Sequence, residues 1–216
     1  GTDAGVYIYY PAREIFVPFN LQSKENTQID RTVSAISGDK EGRVWIAVET
    51  QGLFCYEPQK EQLHNYTLNS FSANVQSVTS DNSGTIWVGF YGSGLFYSKD
   101  NLKTLHPYLS PKDGEEIFKD DVIMKFVPGA YNCIYISSIR KGVQELNLIS
   151  GNLRSLLLMD ETGEMVYNRD LLVNSDNELW IGAESGLYIY NLRMGKYVHL
   201  RSSINDPYSL SDNAIY

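Results

Sequence analysis

Apolar and polar positions in this chain fall into short runs of β type, and no stretch shows the three-and-four spacing of an amphipathic helix. Over 33–66 there are four such runs: Val33 to Ser37, Val44 to Val48, Leu53 to Tyr56 and Gln62 to Tyr66. They are parted by Asp39-Lys40-Glu41-Gly42, by Gln51-Gly52 and by a connection containing Pro58, all residues that favour turns. The second run, Val44-Trp45-Ile46-Ala47, is apolar at successive positions, as a strand covered on both faces requires. The pattern predicts four antiparallel strands in a unit of about 45 residues.

The unit repeats. Val44-Trp45-Ile46-Ala47 aligns with Ile86-Trp87-Val88-Gly89, Ile134-Tyr135-Ile136-Ser137 and Leu179-Trp180-Ile181-Gly182, so the aromatic returns after 42, 48 and 45 residues. Six or seven residues beyond each aromatic stands a glycine with an apolar neighbour: Gly52-Leu53, Gly94-Leu95, Gly142-Val143 and Gly186-Leu187. Gly5-Val6-Tyr7-Ile8-Tyr9 parallels Gly186-Leu187-Tyr188-Ile189-Tyr190 with no Trp run before it, so the chain is expected to start half-way through a unit, with Gly1 a cloning remnant.

These repeats predict an all-β fold, a β-propeller in the form of an open arc of about four four-stranded blades with partial blades at both ends. The blades are expected at 31–73, 74–120, 121–168 and 169–211. The outer two strands of a partial blade would lie at 4–30 and the start of another at 212–216. Each Trp should fill the space between stacked blades. The third blade is irregular: Tyr135 replaces Trp, Pro128-Gly129-Ala130-Tyr131-Asn132 replaces the Asp/Asn-x-x-Gly turn, and an acidic connection, Lys112 to Asp121, precedes it.

Charge narrows the partners. A formal net charge of −8 without a basic stripe argues against a nucleic-acid or anionic-membrane surface, and no apolar run approaches the length of a membrane span. Cys55 and Cys133 lie in apolar runs without metal spacing and read as small buried residues. His64 and His106 fall twelve residues after Gly52 and Gly94, and His199 thirteen after Gly186. All three are therefore expected on outer strands of different blades, with no shared metal site. Gly89-Phe90-Tyr91-Gly92-Ser93-Gly94 lacks the Lys-Ser/Thr and the helix of a phosphate loop and reads as a hairpin turn. The acids Glu115, Glu116, Asp120 and Asp121 read as a solvated cluster rather than a glycosidase pair. No catalytic set, metal or cofactor is expected.

In a four-stranded blade, the connection into the first strand and the turn between the second and third emerge at one end, around the mouth of the central channel. The residues placed there are Arg31, Asn74, Asp121, Arg169 and Asn213, with Glu49, Tyr91, Arg140 and Glu184 from the turns. Donors, acceptors and an aromatic of this kind suit the hydroxyls and the ring face of a sugar.

The run Asp81-Asn82-Ser83-Gly84-Thr85-Ile86-Trp87-Val88-Gly89 with Gly94-Leu95, and the ending Asn205-Asp206-Pro207-Tyr208-Ser209-Leu210-Ser211-Asp212-Asn213-Ala214-Ile215-Tyr216, resemble the two-component regulator propeller repeat. The likeness implies the periplasmic sensor region of hybrid two-component histidine kinases of Bacteroidetes. There, propeller blades precede a Y_Y_Y-type β-domain, a membrane span and the kinase, and many members respond to oligosaccharides. The segment would then be a non-catalytic sensor. Its partners would be an oligosaccharide, the remaining blades and downstream β-domain of the same chain, and in some settings a second copy as a homodimer, with no direct membrane contact. The alternatives are a scaffold propeller without a small ligand and a propeller lyase.

Overall fold

The computed structural model describes residues 1–20, 28–66, 74–130, 132–157, 159–160, 162–174 and 177–216, so Tyr131 of the irregular turn lies outside the described residues. The chain divides into two compact units, Gly1–Tyr108 with Phe118–Asp120, and Leu109–Ile117 with Asp121–Tyr216.

The first unit opens with a hairpin of β1 (Tyr7–Tyr10) and β2 (Ile15–Pro18). Two four-stranded antiparallel sheets follow, each in sequence order. The first comprises β3 (Val33–Gly38), β4 (Val44–Val48), β5 (Gly52–Glu57) and β6 (Gln62–Tyr66). The second comprises β7 (Val75–Ser80), β8 (Ile86–Phe90), β9 (Gly94–Ser98) and β10 (His106–Pro107). The second unit holds β11 (Ile123–Pro128), β12 (Cys133–Ser138), β13 (Gly142–Asn147) and β14 (Leu153–Leu157) in one sheet. Its other sheet holds β15 (Asn168–Val173), β16 (Glu178–Ala183), β17 (Gly186–Asn191) and β18 (Lys196–Leu200). The meander of four strands is the blade of a β-propeller, and the fold is all-β, with one 3-10 turn at Pro58–Lys60 as the helical element among the described residues.

Burial follows the apolar runs. The second strands are covered nearly throughout, as their successive apolar positions require. In the first unit Trp45, Ala47, Leu53 and Cys55 pack with Val75, Val78, Val88, Phe90 and Phe96 of the next blade. In the second, Tyr135 and Val143 pack with Leu171, Leu179, Ile181 and Tyr188, so Tyr135 fills the space that Trp45 fills. Trp180 is only half-buried. Cys55 is buried, and desolvation pushes its thiol up to about 12, whereas Cys133 is only partly covered at the start of β12, a correction to the fully buried residue expected.

A hydrogen-bonded device fixes three of the four blades. Asp39 and Asp81 each accept, on one carboxylate oxygen, backbone N–H groups two and four residues on, while the other oxygen accepts the indole N–H of Trp45 (2.8 Å) or Trp87 (3.0 Å). A buried indole N–H needs such a partner. In the last blade Asn174 holds the turn by accepting from Glu178 N, and the Glu178 carboxylate takes the indole N–H of Trp180 at 3.0 Å. Burial raises the pKa of Asp39 and Asp81, yet the bonds they accept outweigh it, and both carboxyls lie below the usual carboxylate value.

The first strand of every four-stranded sheet also slips register near its start, between Val33 and Ala35, Val75 and Ser77, Ile123 and Lys125, and Asn168 and Asp170. Each slip is a β-bulge that turns an extra side chain out of the ladder.

A candidate ligand pocket between two blades

Within each blade, the turn between the second and third strands is tied to the residue preceding the first strand. Glu49 N donates to Thr32 O (2.9 Å), Tyr91 N to Asn74 O (3.0 Å), Ile139 N to Val122 O (3.1 Å) and Glu184 N to Tyr167 O (3.1 Å). The two sets of residues named from topology therefore meet at one end of each blade.

Their side chains differ in what they do. In the first unit Arg31, Glu49 and Tyr91 are exposed, Asn74 is half-buried, and Arg31 stands 3.8 Å from Asp30. In the second unit Arg140 is exposed and Arg169 pairs with Glu184. The Arg169 guanidinium also lies 6.0 Å from the centre of the Tyr216 ring. Half-buried Asn213 accepts from Ser202 N at 2.7 Å. Asp121 is not solvated: it is 1% exposed, and its Oδ1 accepts from Val122 N (2.8 Å) and Arg140 N (3.1 Å). A carboxylate with two backbone donors within reach is drawn inward to cap the turn. His64, His106 and His199 lie on β6, β10 and β18, the fourth strands of their sheets, and His199 stacks on Tyr188 at 3.8 Å.

In the second unit a pocket of about 100 Å³ opens between the two blades at this same end, lined by Met124, Ser138, Ile139, Val166, Tyr167, Asn168 and Arg169. The bulges build it, because Met124 and Arg169 are the residues at the register slips of β11 and β15. An ion pair between the residues next to those slips, Lys125 Nζ to Asp170 Oδ1 at 2.8 Å, joins the two strands. Two polar atoms in the lining are buried and have no partner in the protein: Asn168 Oδ1 and Arg169 Nε. Asn168 donates from Nδ2 to Val166 O at 3.2 Å. Tyr167, half of whose surface is exposed, and Ile139 bring apolar area to the pocket. Arg169 was named from the sequence; Tyr167 and Asn168 were not, since the bulge beside them leaves no trace in a two-residue alternation.

Blades of this form define the class of the protein as a β-propeller. No protein-family model matches the chain, and no curated protein matches it by sequence. Among solved structures it resembles the extracellular domain of a hybrid two-component system from B. thetaiotaomicron (TM-score 0.75, 17% identity, covering 99% of this chain and 27% of that one). A second such domain from the same organism scores 0.73 at 16% identity, again over 99% of this chain and 27% of that one. Virginiamycin B lyase from Staphylococcus aureus scores 0.60 at 15% identity, over 80% of this chain and 56% of that one. The chain thus spans about a quarter of those two extracellular domains, and at these identities the likeness is one of fold.

Proposed function

We propose that this chain is a non-catalytic ligand-recognition module in the periplasmic sensor region of a hybrid two-component signalling protein, and that its ligand is an oligosaccharide. The observation that carries the reading is the pocket of the second unit at the end of the blades, lined by Asn168, Arg169 and the aromatic side chain of Tyr167. The repeat's resemblance and the fold shared with extracellular domains of hybrid two-component systems support the setting. The remaining blades and a downstream β-domain of the same protein would carry the signal onward. Against a lyase, the lining contains no imidazole, carboxylate or thiol to move a proton, and the three histidines lie on fourth strands.

The test is a thermal-shift screen of plant, host and microbial oligosaccharides, with chromatography of each mixture after incubation. A ligand at about 100 times its Kd stabilises its binder by about 2.7 kcal/mol, which raises Tm by roughly 5–10 °C in a chain of this size. A shift from one glycan class without new products supports the sensor. New products would replace it with an enzyme, and the absence of any shift would replace it with a scaffold.

A further inference from the structure

Each unit exposes an apolar sheet face. On the last four-stranded sheet, Leu172, Trp180, Ile189 and Val198 are direct cross-strand partners, so they share one face and form an apolar row across β15, β16, β17 and β18. Leu187 and Leu200 pair beside them. Strand alternation puts Leu179, Ile181, Tyr188 and Tyr190 on the other face, where they share a buried cluster with Tyr135, Val143 and Leu157 of the third blade. Ile215 lies over Gly182, yet Leu172, Val198 and Leu200 are exposed, and Trp180 is half-buried where its counterpart Trp45 is fully covered.

In the first unit, Val6 and Phe19 at the base of the opening hairpin pack with Ile46, Val48, Phe54 and Leu63 of the first four-stranded sheet. Tyr7 pairs with Pro18 and Tyr9 with Phe16, so these side chains share the opposite face, and the rings of Tyr9 and Phe16 lie 4.7 Å apart. Gly5-Val6-Tyr7-Ile8-Tyr9 repeats Gly186-Leu187-Tyr188-Ile189-Tyr190 position by position, and both glycines have positive φ, +112° and +131°. Tyr7 and Tyr9 therefore stand in their hairpin where Tyr188 and Tyr190 stand in the last blade. Tyr188 and Tyr190 are 0% and 6% exposed, whereas Tyr7 and Tyr9 are 42% and 47% exposed.

The protein already makes this contact once, where the third blade meets Tyr188 and Tyr190, and both halves of it recur exposed. We propose that the opening hairpin of one copy of this chain seats on the last blade of a second copy, with Tyr7, Tyr9 and Phe16 against Ile189, Val198 and Leu200. A second copy is the partner because the chain itself carries the matching half. Apolar faces of this kind mark association surfaces, since covering them removes apolar area from water. The contact is heterologous: one face inserts, a different face receives, and each copy offers both. The hairpin is two strands wide and covers β17 and β18 rather than the whole row, which places the contact at the small end of specific interfaces, with a Kd of about 10–100 µM. It needs no ligand and is independent of the ligand-recognition reading above.

The experiment is sedimentation velocity of the whole chain from about 1 to 500 µM, a range that brackets this Kd. It is run on the wild type, on Tyr9→Asp in the hairpin and on Val198→Asp in β18, both at exposed positions. The wild type is expected to gain mass with concentration. Either variant alone should associate at least about 10-fold more weakly, because a carboxylate would be buried at the contact without a partner. Mixed in equal amounts, the two variants should pair one to one and grow no further, since Val198→Asp brings an intact hairpin and Tyr9→Asp an intact last blade. That recovery also shows that both variants are folded. A wild type that stays monomeric across the range overturns the proposal, and so does a variant that associates as the wild type does. A mixture that stays monomeric while both variants keep the wild-type circular dichroism overturns it as well, because the two faces would then not be partners.

Discussion

Asp81 offers a direct measure of what holds a blade in place. Its Oδ1 accepts Ser83 N (2.8 Å), Ser83 Oγ (2.6 Å) and Thr85 N (3.0 Å), and its Oδ2 accepts the indole N–H of Trp87, which is 4% exposed. In Asp81→Ala the exposed Ser83 groups can turn to water, but the indole donor is stranded and the N–H of buried Thr85 loses its acceptor. The stranded donor costs about 1–3 kcal/mol and the lost turn about 1 kcal/mol, so about 3 kcal/mol is expected. That is a large part of a typical stability of about 5–15 kcal/mol and corresponds to a Tm fall of roughly 6–12 °C. Asp81→Asn should recover the turn portion only, because its oxygen can still accept from Ser83 and Thr85 while its amide faces the indole donor to donor.

Urea unfolding of Asp81→Ala, Trp87→Phe and the double variant closes a thermodynamic cycle. Removing the donor should relieve the Asp81→Ala penalty by about 1–3 kcal/mol with an unchanged m value. Additivity within about 0.5 kcal/mol would refute the reasoning, since the Asp81–Trp87 bond would then carry nothing. The pH dependence has a fixed sign. The folded pKa of Asp81 lies below its unfolded value of about 3.9, so the advantage of the wild type over Asp81→Ala is complete above about pH 5 and is lost as pH falls through the folded pKa.

The fourth blade reaches the same end by other residues, and exchanging them is a second test. Glu178 Oε2 accepts both Trp180 Nε1 (3.0 Å) and Asn174 Nδ2 (2.8 Å), so Glu178→Thr strands two donors and Asn174→Asp sets one carboxylate against another. The double variant rebuilds the Asp81, Thr85 and Trp87 arrangement, and a favourable coupling of about 1–2 kcal/mol by denaturant titration is expected; strict additivity would show that the spacing is not interchangeable. A third test compares two glycines of one hairpin. A Cβ on Gly94 (φ +84°) would lie 2.2 Å from Phe118 O, whereas one on Gly92 (φ +78°) meets nothing within 4 Å. Gly92→Ala should cost about 1 kcal/mol for its backbone conformation alone and Gly94→Ala on the order of 3 kcal/mol or more, since a carbonyl must move; equal Tm losses would contradict the close approach.

The blades were legible because stacking leaves a mark in sequence: a strand covered on both faces must be apolar at every position, and Val44 to Val48 and Ile86 to Phe90 are. The interblade position of Tyr135 followed from the spacing alone. The rim was legible at the level of the backbone, where topology brings the strand start and the turn together, and not at the level of side chains. Asp121 and Asn213 look the same as open polar residues until their backbone donors, Arg140 N and Ser202 N, are located. Those donors sit 19 and 11 residues away, beyond any local pattern.

The bulges show why one end of a repeated blade can serve different ends. Each first strand carries the same slip, but the residue it turns out differs. In the first four-stranded sheet it is Ser34, whose hydroxyl lies 2.6 Å from the carbonyl oxygen of Val75 in the next blade, so the bulge cements two blades. At β11 and β15 it is Met124 and Arg169, which make no such bond to a neighbouring carbonyl and instead wall a pocket. Replacing Ser34 by a residue without a hydroxyl should loosen packing without creating a site. Replacing Met124 or Arg169 should alter the pocket with little effect on the ladder. In the first four-stranded sheet the outturned side chain is taken up by the neighbouring blade, and at β11 and β15 it lines a pocket, so one repeated slip serves packing in one place and cavity-building in another.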